Sequence, residues 1–211
     1  MGNSEKISII DVTGKEGYEI YLYKCLSPMP FRIYKNREKY LRYAIPKGFR
    51  KKVLLFNGEE VGQIEYAPAS ASGYPIYGEK LLVMNCIWVL RKAKGHNFGL
   101  RLVKSMTQDQ KTFDRVATIA LENHWSPWMK KWQMEKLGFK PVDKITVKHK
   151  VKHREKCFKI FLMWLPIKEN ATPPKWNKTE MLKGVKFCMA HPLYNADRWK
   201  LEYIFEPCND I

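Results

Sequence analysis

Between Met84 and Met106 the sequence reads MNCIWVLRKAKGHNFGLRLVKSM, in which an apolar run is followed by a basic turn and then a helical pattern. Leu100, Leu102 and Val103 have the spacing of a helix that packs on a sheet. A strand that leads into a glycine turn at a helix N-terminus surrounds a site for phosphate with free backbone N–H groups. Such glycines can also serve only tight packing, and from this segment alone both interpretations remain open.

Two familiar phosphate-binding loops do not match this turn. The P-loop places Lys and then Ser or Thr after its last glycine, whereas Gly99 is followed by Leu100 and Arg101. The dinucleotide-binding fingerprint requires three glycines, and this turn has only Gly95 and Gly99. We therefore exclude both loops.

The turn instead resembles the acetyl-CoA signature of the GNAT acetyltransferase superfamily, Gln/Arg-x-x-Gly-x-Gly/Ala, which opens a helix after a long central strand. The matching residues run from Lys94 to Gly99, with Lys94 at the first position and Asn97 in place of a glycine. Asn is one of the few residues that accept left-handed backbone angles. The sequence MEKLGF at 134–139 is similar to the Tyr-Glu-Lys-Leu-Gly-Phe segment near the end of the family's fold.

This resemblance implies a GNAT-like α/β (α+β) fold with a mixed, mostly antiparallel twisted sheet flanked by helices. We expect residues 1–166 to form the acetyltransferase domain and residues 167–211 to form a C-terminal extension packed on it. The resemblance also implies acetyl-CoA as cofactor, with the backbone amides of the central strand polarising the thioester carbonyl. The implied cofactor-binding residues are Trp88, Val89, Leu90, Lys94, Gly95, His96, Asn97, Phe98 and Gly99.

Acetyl transfer also requires a group that takes the proton of the acceptor amine. The candidates are Glu65, at the end of a predicted strand, and Glu122 and His124, just after another. Taken alone, each of them is better interpreted as an ordinary hydrogen-bonding or solvated residue. Together, Glu122 and His124 end an apolar strand, where ionisable groups are expected at the edge of a cleft.

The expected general acid is missing from the chain. Many family members have a Tyr where this sequence has Met134, and a Met side chain cannot donate a proton to the departing thiolate. His124, Tyr66 or Cys86 could take its place, or the thiolate could leave unassisted. A further alternative is a site that binds acetyl-CoA without transferring its acetyl group.

Composition indicates a cytoplasmic globular protein. None of the apolar runs among the 211 residues reaches the ~18 residues needed to span a membrane, and MGNSEKIS lacks the apolar core of a signal peptide. The five cysteines are scattered, which predicts free thiols in a reducing compartment. The CMAH sequence at 188–191, with distant Cys208, lacks the remaining ligands of a zinc site, so we predict no metal.

The positive charge is the second strong feature of the sequence. The 38 Lys and Arg residues outnumber the 21 Asp and Glu residues, which gives a formal charge of +17. Such a surplus favours either nucleic acid or another acidic macromolecule as partner, or a solvated lysine-rich surface. A basic series with cations at every second position would lie on one face of an extended strand. Its members are Lys148, Lys150, Lys152, Arg154 and Lys156.

The remaining patterns predict the order of the elements. Asn57-Gly58 is a strong hairpin signal between two apolar runs, and Pro127 suits the first turn of a helix that ends at Lys136. The predicted strands are Ile7–Val12, Lys52–Phe56, Val61–Tyr66, Leu81–Leu90, Val116–Glu122, Phe139–Lys152, Cys157–Leu165, Val185–Met189 and Lys200–Phe205. The other predicted helices are Gly17–Cys25, Lys39–Ala44 and Asn97–Lys111.

From these observations we predict an N-acetyltransferase that moves an acetyl group from acetyl-CoA to an amine by direct attack on the thioester. The sequence does not identify the acceptor. The alternative function is a non-catalytic, basic nucleic-acid-binding module built on an acetyltransferase scaffold, because fold resemblance alone does not determine activity.

Overall fold

A computed structural model describes residues 6–14, 19–23, 26, 35–109, 111–151, 153–185, 187–188, 191, 193–194 and 201–208. The helices are α1 (Glu19–Tyr23), α2 (Lys35–Ala44), α3 (Phe98–Asp109), α4 (Lys131–Lys136) and α5 (Lys178–Met181). The strands are β1 (Ile7–Asp11), β2 (Arg50–Phe56), β3 (Glu59–Pro68), β4 (Ile76–Tyr77), β5 (Leu81–Val89), β6 (Arg115–Glu122), β7 (Lys140–His149), β8 (Phe158–Pro166), β9 (Lys175–Trp176) and β10 (Phe205–Pro207).

Eight of these strands form one sheet in the order β1-β2-β3-β5-β6-β8-β7-β10. Every neighbouring pair in it is antiparallel except β5 and β6, which run parallel and are joined through α3. The other two strands, β4 and β9, pair in a small separate sheet. The predicted mixed, mostly antiparallel sheet flanked by helices is therefore confirmed.

The hairpin between β2 and β3 forms where the sequence predicts it. Asn57 and Gly58 both have positive φ, 51° and 84°, which the tight turn between two antiparallel strands requires. A second glycine, Gly62 of β3, lies under α3, where a Cβ atom would come within 3.3 Å of Leu102 Cδ1. The missing side chain thus lets α3 pack close to the sheet.

The two faces of the central sheet are covered by different elements. On one face, α3 buries Leu102 and Met106, and Lys52 Nζ from β2 donates to the carbonyl oxygen of Ser105 at 2.9 Å. On the other face, the Tyr40 hydroxyl of α2 donates to the Ala71 carbonyl oxygen at 2.9 Å, and the Tyr40 ring lies 5.8 Å from that of Phe187. Phe187, in the predicted C-terminal extension, therefore helps to cover the face opposite α3.

The C-terminal extension contributes its described residues to the core. Met181, Phe187, Leu193 and Phe205 are buried, and β10 adds a last strand to the edge of β7. Within the predicted strand Val185–Met189, residues 186 and 189 lie outside the described residues; Val185 makes an isolated bridge to Tyr194, and residues 187–188 are not in a strand. The strand predicted at 200–205 lies farther along the chain, since pairing with β7 begins at Phe205.

The helix predicted from Pro127 to Lys136 is wrong in its first half. The Leu121 N–H of β6 donates to the Met129 carbonyl oxygen at 2.7 Å, and Met129 has a φ of 49°. These contacts hold a turn at Trp128 and Met129 beside β6 and end in an isolated bridge between Leu121 and Lys130, so the helix begins at Lys131. We call residues 123–130 the β6–α4 segment.

The prediction of free thiols is wrong for two of the five cysteines. Cys157 and Cys208 form a disulfide, because β10 pairs with β7 and brings Cys208 beside the start of β8. Cys86 and Cys188 are buried free thiols, and Cys25 lies outside the described residues. Within the described part of the chain, every helix is too short or too polar to cross a membrane.

Candidate active site

The two parallel strands at the centre of the sheet diverge. Pairing between β5 and β6 extends over Leu81–Val83 and Arg115–Ala117, and Thr118 Oγ1 then donates to the Met84 carbonyl oxygen at 2.8 Å. Beyond this point β5 continues to pair with β3, and β6 continues to pair with β8. A β-bulge at Asn85 accompanies the divergence, since the register with β3 shifts by one residue there. The result is a wedge-shaped opening, which we call the β5–β6 gap.

Backbone N–H groups of β5 face this gap. Leu90 N donates to the Val61 carbonyl oxygen at 2.8 Å, which fixes the hydrogen-bonding phase of the β3–β5 ladder. Because the direction of antiparallel hydrogen bonds alternates along a strand, Trp88 also faces β3, whereas Ile87 and Val89 face the gap. The polarising amides were expected around Trp88, Val89 and Leu90, and only one of these three, Val89, directs its N–H into the gap. The amide of Leu90 is already bonded, and Val89 and Ile87 have the required direction.

The turn after β5 leads directly into the N-terminus of α3. Gly95 has a φ of 94° and Asn97 a φ of 55°, so the predicted left-handed backbone at Asn97 is confirmed. Arg101 N donates to the Asn97 carbonyl oxygen at 3.1 Å, which makes Asn97 the residue before the first helical turn. The N–H groups of that turn have no partner within the helix and carry its positive dipole end. Lys94 and Arg101 are exposed beside it.

The side chains of the other signature residues serve packing. The His96 ring stacks on Phe98 with centroids 5.0 Å apart, and Phe98 is buried. A Cβ atom at Gly99 would come within 3.1 Å of Leu137 Cδ2. Gly99 thus lets the start of α3 contact the end of α4, so the two segments that carry the family resemblance touch in the folded chain.

Two solved structures with a similar fold are described as acetyltransferases. A Desulfovibrio desulfuricans protein assigned to the GNAT family aligns with a TM-score of 0.54 and 13% identity, over 76% of this chain and 99% of that one. A Bacillus subtilis acetyltransferase solved with coenzyme A aligns with a TM-score of 0.50 and 14% identity, over 77% and 99%. This chain has the GNAT fold. No protein-family sequence model and no curated protein matches its sequence.

Within the GNAT fold, Glu65 lies on the sheet face opposite α3. Its carboxylate is buried, with Arg37 Nη2 at 2.6 Å and Lys51 Nζ at 3.4 Å. Burial alone would raise the pKa of Glu65, but the charges of Arg37 and Lys51 outweigh it and lower the pKa to about 2. Glu65 is therefore a fixed carboxylate that is ionised at neutral pH. Sequence patterns did not single out Arg37 and Lys51, since their contact with Glu65 is made only by the folded chain.

The structure separates the other two predicted catalytic residues from Glu65. Glu122, at the end of β6, lies between Lys131 Nζ at 3.6 Å and Lys159 Nζ at 3.5 Å. His124 is buried, with Nε2 3.0 Å from His149 Nε2 and Nδ1 accepting from the Ser126 N–H at 3.1 Å.

His124 points away from the β5–β6 gap. Its ring lies across β8, 4.5 Å from the Phe158 ring centroid, and reaches His149 at the end of β7. Since β8 and β7 lie on the far side of β6 from β5, this pair of histidines packs the sheet rather than lining the gap. Burial, followed by the nearby His149, lowers the pKa of His124 to about 3 and keeps it neutral.

A residue to which the sequence analysis assigned no catalytic role lies beside the gap. His191 of the C-terminal extension is buried, with Nε2 3.5 Å from Cys86 Sγ and its ring stacked 4.0 Å from that of Trp128. Burial lowers the pKa of His191 to about 3, although the Glu65 carboxylate acts in the opposite direction. The CMAH sequence at 188–191 was its only signal, and we interpreted that sequence solely as an incomplete zinc site.

The basic series does not form one face of a strand. β7 ends at His149, and beyond it the chain turns, with His153 at a φ of 52° and a hydrogen bond from Lys156 N to the His153 carbonyl oxygen. Lys148 Nζ lies 3.2 Å from Glu206 of β10, and Lys152 lies outside the described residues. The predicted alternation of Lys148, Lys150, Lys152, Arg154 and Lys156 along one strand is therefore wrong.

Proposed function

We propose that the protein is an acetyl-CoA-dependent N-acetyltransferase, with the coenzyme bound in the β5–β6 gap. The observation that carries the proposal is the position of the gap: its open strand edge leads directly to the N-terminus of α3. With acetyl-CoA bound in the gap, its thioester would lie beside the N–H groups of Ile87 and Val89. Its pyrophosphate would lie beside the first turn of α3. The GNAT fold of acetyltransferases supports this placement.

Bound acetyl-CoA would supply an acetyl group activated as a thioester. The Val89 N–H, facing the gap, is positioned to donate to the thioester carbonyl oxygen and to stabilise the negative charge that develops there. The first-turn N–H groups of α3 and the side chains of Lys94 and Arg101 would hold the phosphates. The Glu65 carboxylate, paired with Arg37 and Lys51, would act as a fixed negative charge on the face of the sheet opposite α3, from which the acceptor would approach.

Charge reversal at the helix N-terminus tests the location of the coenzyme. We expect the double variant Lys94→Glu/Arg101→Glu to weaken acetyl-CoA binding at least about tenfold, which corresponds to ~1.4 kcal/mol. Both side chains are exposed, so the fold should be retained. Isothermal titration calorimetry with acetyl-CoA measures the change.

The matched control is Lys104→Glu/Lys111→Glu, which makes the same change in net charge at exposed positions farther along α3 and after it. Its acetyl-CoA affinity should stay within about twofold of wild type, because the helix dipole acts within the first turn. Equal weakening by both double variants would mean that only the overall positive charge attracts the coenzyme.

A further inference from the structure

His191 connects the two walls of the β5–β6 gap. Its Nε2 contacts Cys86, which belongs to β5 and immediately precedes Ile87. Its ring stacks on Trp128, which belongs to the β6–α4 segment held against Leu121 of β6. The imidazole therefore spans from one diverging strand to the segment attached to the other. It does so on the Glu65 face of the sheet, opposite the face covered by α3.

Two polar atoms in this stacked pair are buried without a hydrogen-bond partner in the described part of the chain. They are Nδ1 of His191 and Nε1 of Trp128. His191 is 4% exposed and Trp128 is 2% exposed, so neither ring is broadly open to solvent. Leaving a buried polar atom unsatisfied costs about 1–3 kcal/mol. Two such atoms in one stacked pair, next to an open strand edge, indicate a site for a small polar group.

We propose that this site receives the nitrogen of the acceptor amine, and that His191 takes the proton of that amine during acetyl transfer. The inference rests on the proposed acetyltransferase function and adds the acceptor side of the site. The C-terminal extension thereby completes the active site instead of only covering the sheet. Cys86 and Trp128 hold the imidazole in place.

The proposal needs the tautomer of His191 that carries its proton on Nε2, which the contact with Cys86 permits. With the ring proton on Nε2, directed at the Cys86 sulfur, the lone pair of Nδ1 is available to an N–H of the acceptor. As the amine nitrogen bonds to the acetyl carbon, the carbon–sulfur bond of acetyl-CoA breaks and the coenzyme departs as a thiolate. The amine proton passes to Nδ1 of His191, and the resulting imidazolium releases it to the thiolate, which restores the neutral ring.

The buried surroundings of His191 favour an acceptor amine in its neutral form. Burial keeps His191 neutral even with the Glu65 carboxylate nearby, and it disfavours an ammonium group at the same place. A neutral amine can donate to Nδ1 of His191 and accept from the N–H of Trp128 while it binds, and its lone pair then leaves the Trp128 N–H to attack the acetyl carbon. An ammonium group has no lone pair and would leave the Trp128 N–H unsatisfied. The acceptor class is therefore an amine that is neutral near pH 7.

Two variants of the C-terminal extension distinguish a role of His191 in proton transfer from a role in packing. His191→Gln removes the proton-accepting ring, whereas Leu193→Val removes one methylene group from a buried side chain of the same segment. We expect His191→Gln to lower the transfer rate ~10²-fold or more, since general bases contribute ~10²–10⁴-fold. Its acetyl-CoA affinity should stay within about twofold. Leu193→Val should change both quantities less than about threefold.

Paired acceptors test the charge state. One pair, compared at about pH 8.5, is a lysine-free peptide with a free α-amine, pKa ≈ 7.7–8.0 and so mostly neutral at that pH, and the same peptide blocked at its N-terminus and carrying one lysine, pKa ≈ 10.4 and so protonated. The second pair is aniline, neutral at pH 7, and benzylamine, protonated at pH 7. Acetyl transfer is followed by mass spectrometry. We expect at least one neutral member to be acetylated about tenfold faster than its charged partner, and the two pairs distinguish a peptide from an aromatic amine.

Each outcome has one meaning. Absence of acetyl-CoA binding to the wild-type protein overturns the proposed function itself. With binding intact, wild-type transfer by His191→Gln overturns the assignment of His191. Equal or faster transfer to the charged member of both pairs overturns the acceptor class, as does the absence of transfer to every neutral amine.

Discussion

Replacing Arg37 by Met is expected to lower the free energy of unfolding by about 3–5 kcal/mol, because it removes a partner from a buried carboxylate. Arg37 Nη2 lies 2.6 Å from Glu65 Oε1, and both side chains are at most 5% exposed. Arg37 also donates to the Leu22 and Phe187 carbonyl oxygens, so its loss loosens α1 and the C-terminal extension together. Urea unfolding followed by circular dichroism measures the change.

The same helix provides the control for this prediction. Arg42 and Glu38 also form an ion pair, at 2.7 Å, but the Arg42 side chain is 77% exposed. Arg42→Met should therefore cost less than about 1 kcal/mol. Equal losses of unfolding free energy in the two variants would show that the buried Arg37–Glu65 pair contributes no more to stability than the exposed pair.

The loss caused by Arg37→Met should depend on pH. In the wild type, the lowered pKa of Glu65 stabilises the fold above the unfolded value of about 4.5, and this contribution is lost as the pH falls towards about 2. Removing Arg37 raises the folded-state pKa of Glu65. Protonation of the carboxyl then removes the buried negative charge that Arg37 no longer stabilises. The deficit of the variant should accordingly be larger at pH 7.5 than at pH 4.5.

Replacing Gly184 by Ala is expected to cost about 3 kcal/mol. Gly184 has a φ of 82°, and an added Cβ would come within 2.6 Å of the Leu193 and Tyr194 carbonyl oxygens and 2.5 Å of Ile204 Cδ1. Strain at such a φ costs about 1–3 kcal/mol, and overpacking adds a similar amount. The variant should also lose acetyl transfer, since the displaced segment carries His191.

Gly58 supplies a matched control, because it has nearly the same φ of 84° but nothing within 4 Å of an added Cβ. Gly58→Ala should cost only the backbone strain, about 1 kcal/mol, and leave acetyl transfer unchanged. The difference between the two variants, measured by denaturant unfolding, gives the steric contribution alone. A difference near zero would contradict the close packing of Gly184 against Leu193, Tyr194 and Ile204.

Local patterns predict the parts of this fold that local chemistry determines. Asn57-Gly58 specifies a hairpin because both residues accept positive φ, and the apolar run before Arg91 specifies a buried strand. The predicted helical spacing is confirmed for Leu102 and Val103, which are buried in α3 together with Met106, but is wrong for Leu100, which is 46% exposed. In each of these cases the residues that carry the information are neighbours along the chain.

Contacts between distant segments explain what the sequence did not predict. Pro127 suits a helix start, but the hydrogen bond from Leu121 to Met129 holds a non-helical turn against β6 instead. Cys157 and Cys208 are 51 residues apart and meet only because β10 pairs with β7. His191 reaches Cys86 across 105 residues, and a single sequence carries no periodic signal for such a pair.

Amide hydrogen exchange, followed by NMR with and without acetyl-CoA, tests the location of the coenzyme most directly. We predict that saturating acetyl-CoA slows exchange at Ile87 and Val89, which face the β5–β6 gap, and in the first turn of α3. Exchange at Leu90 should change little, because its amide already bonds to Val61. Unchanged exchange at Ile87, Val89 and the start of α3, despite saturation, would contradict the proposed binding site.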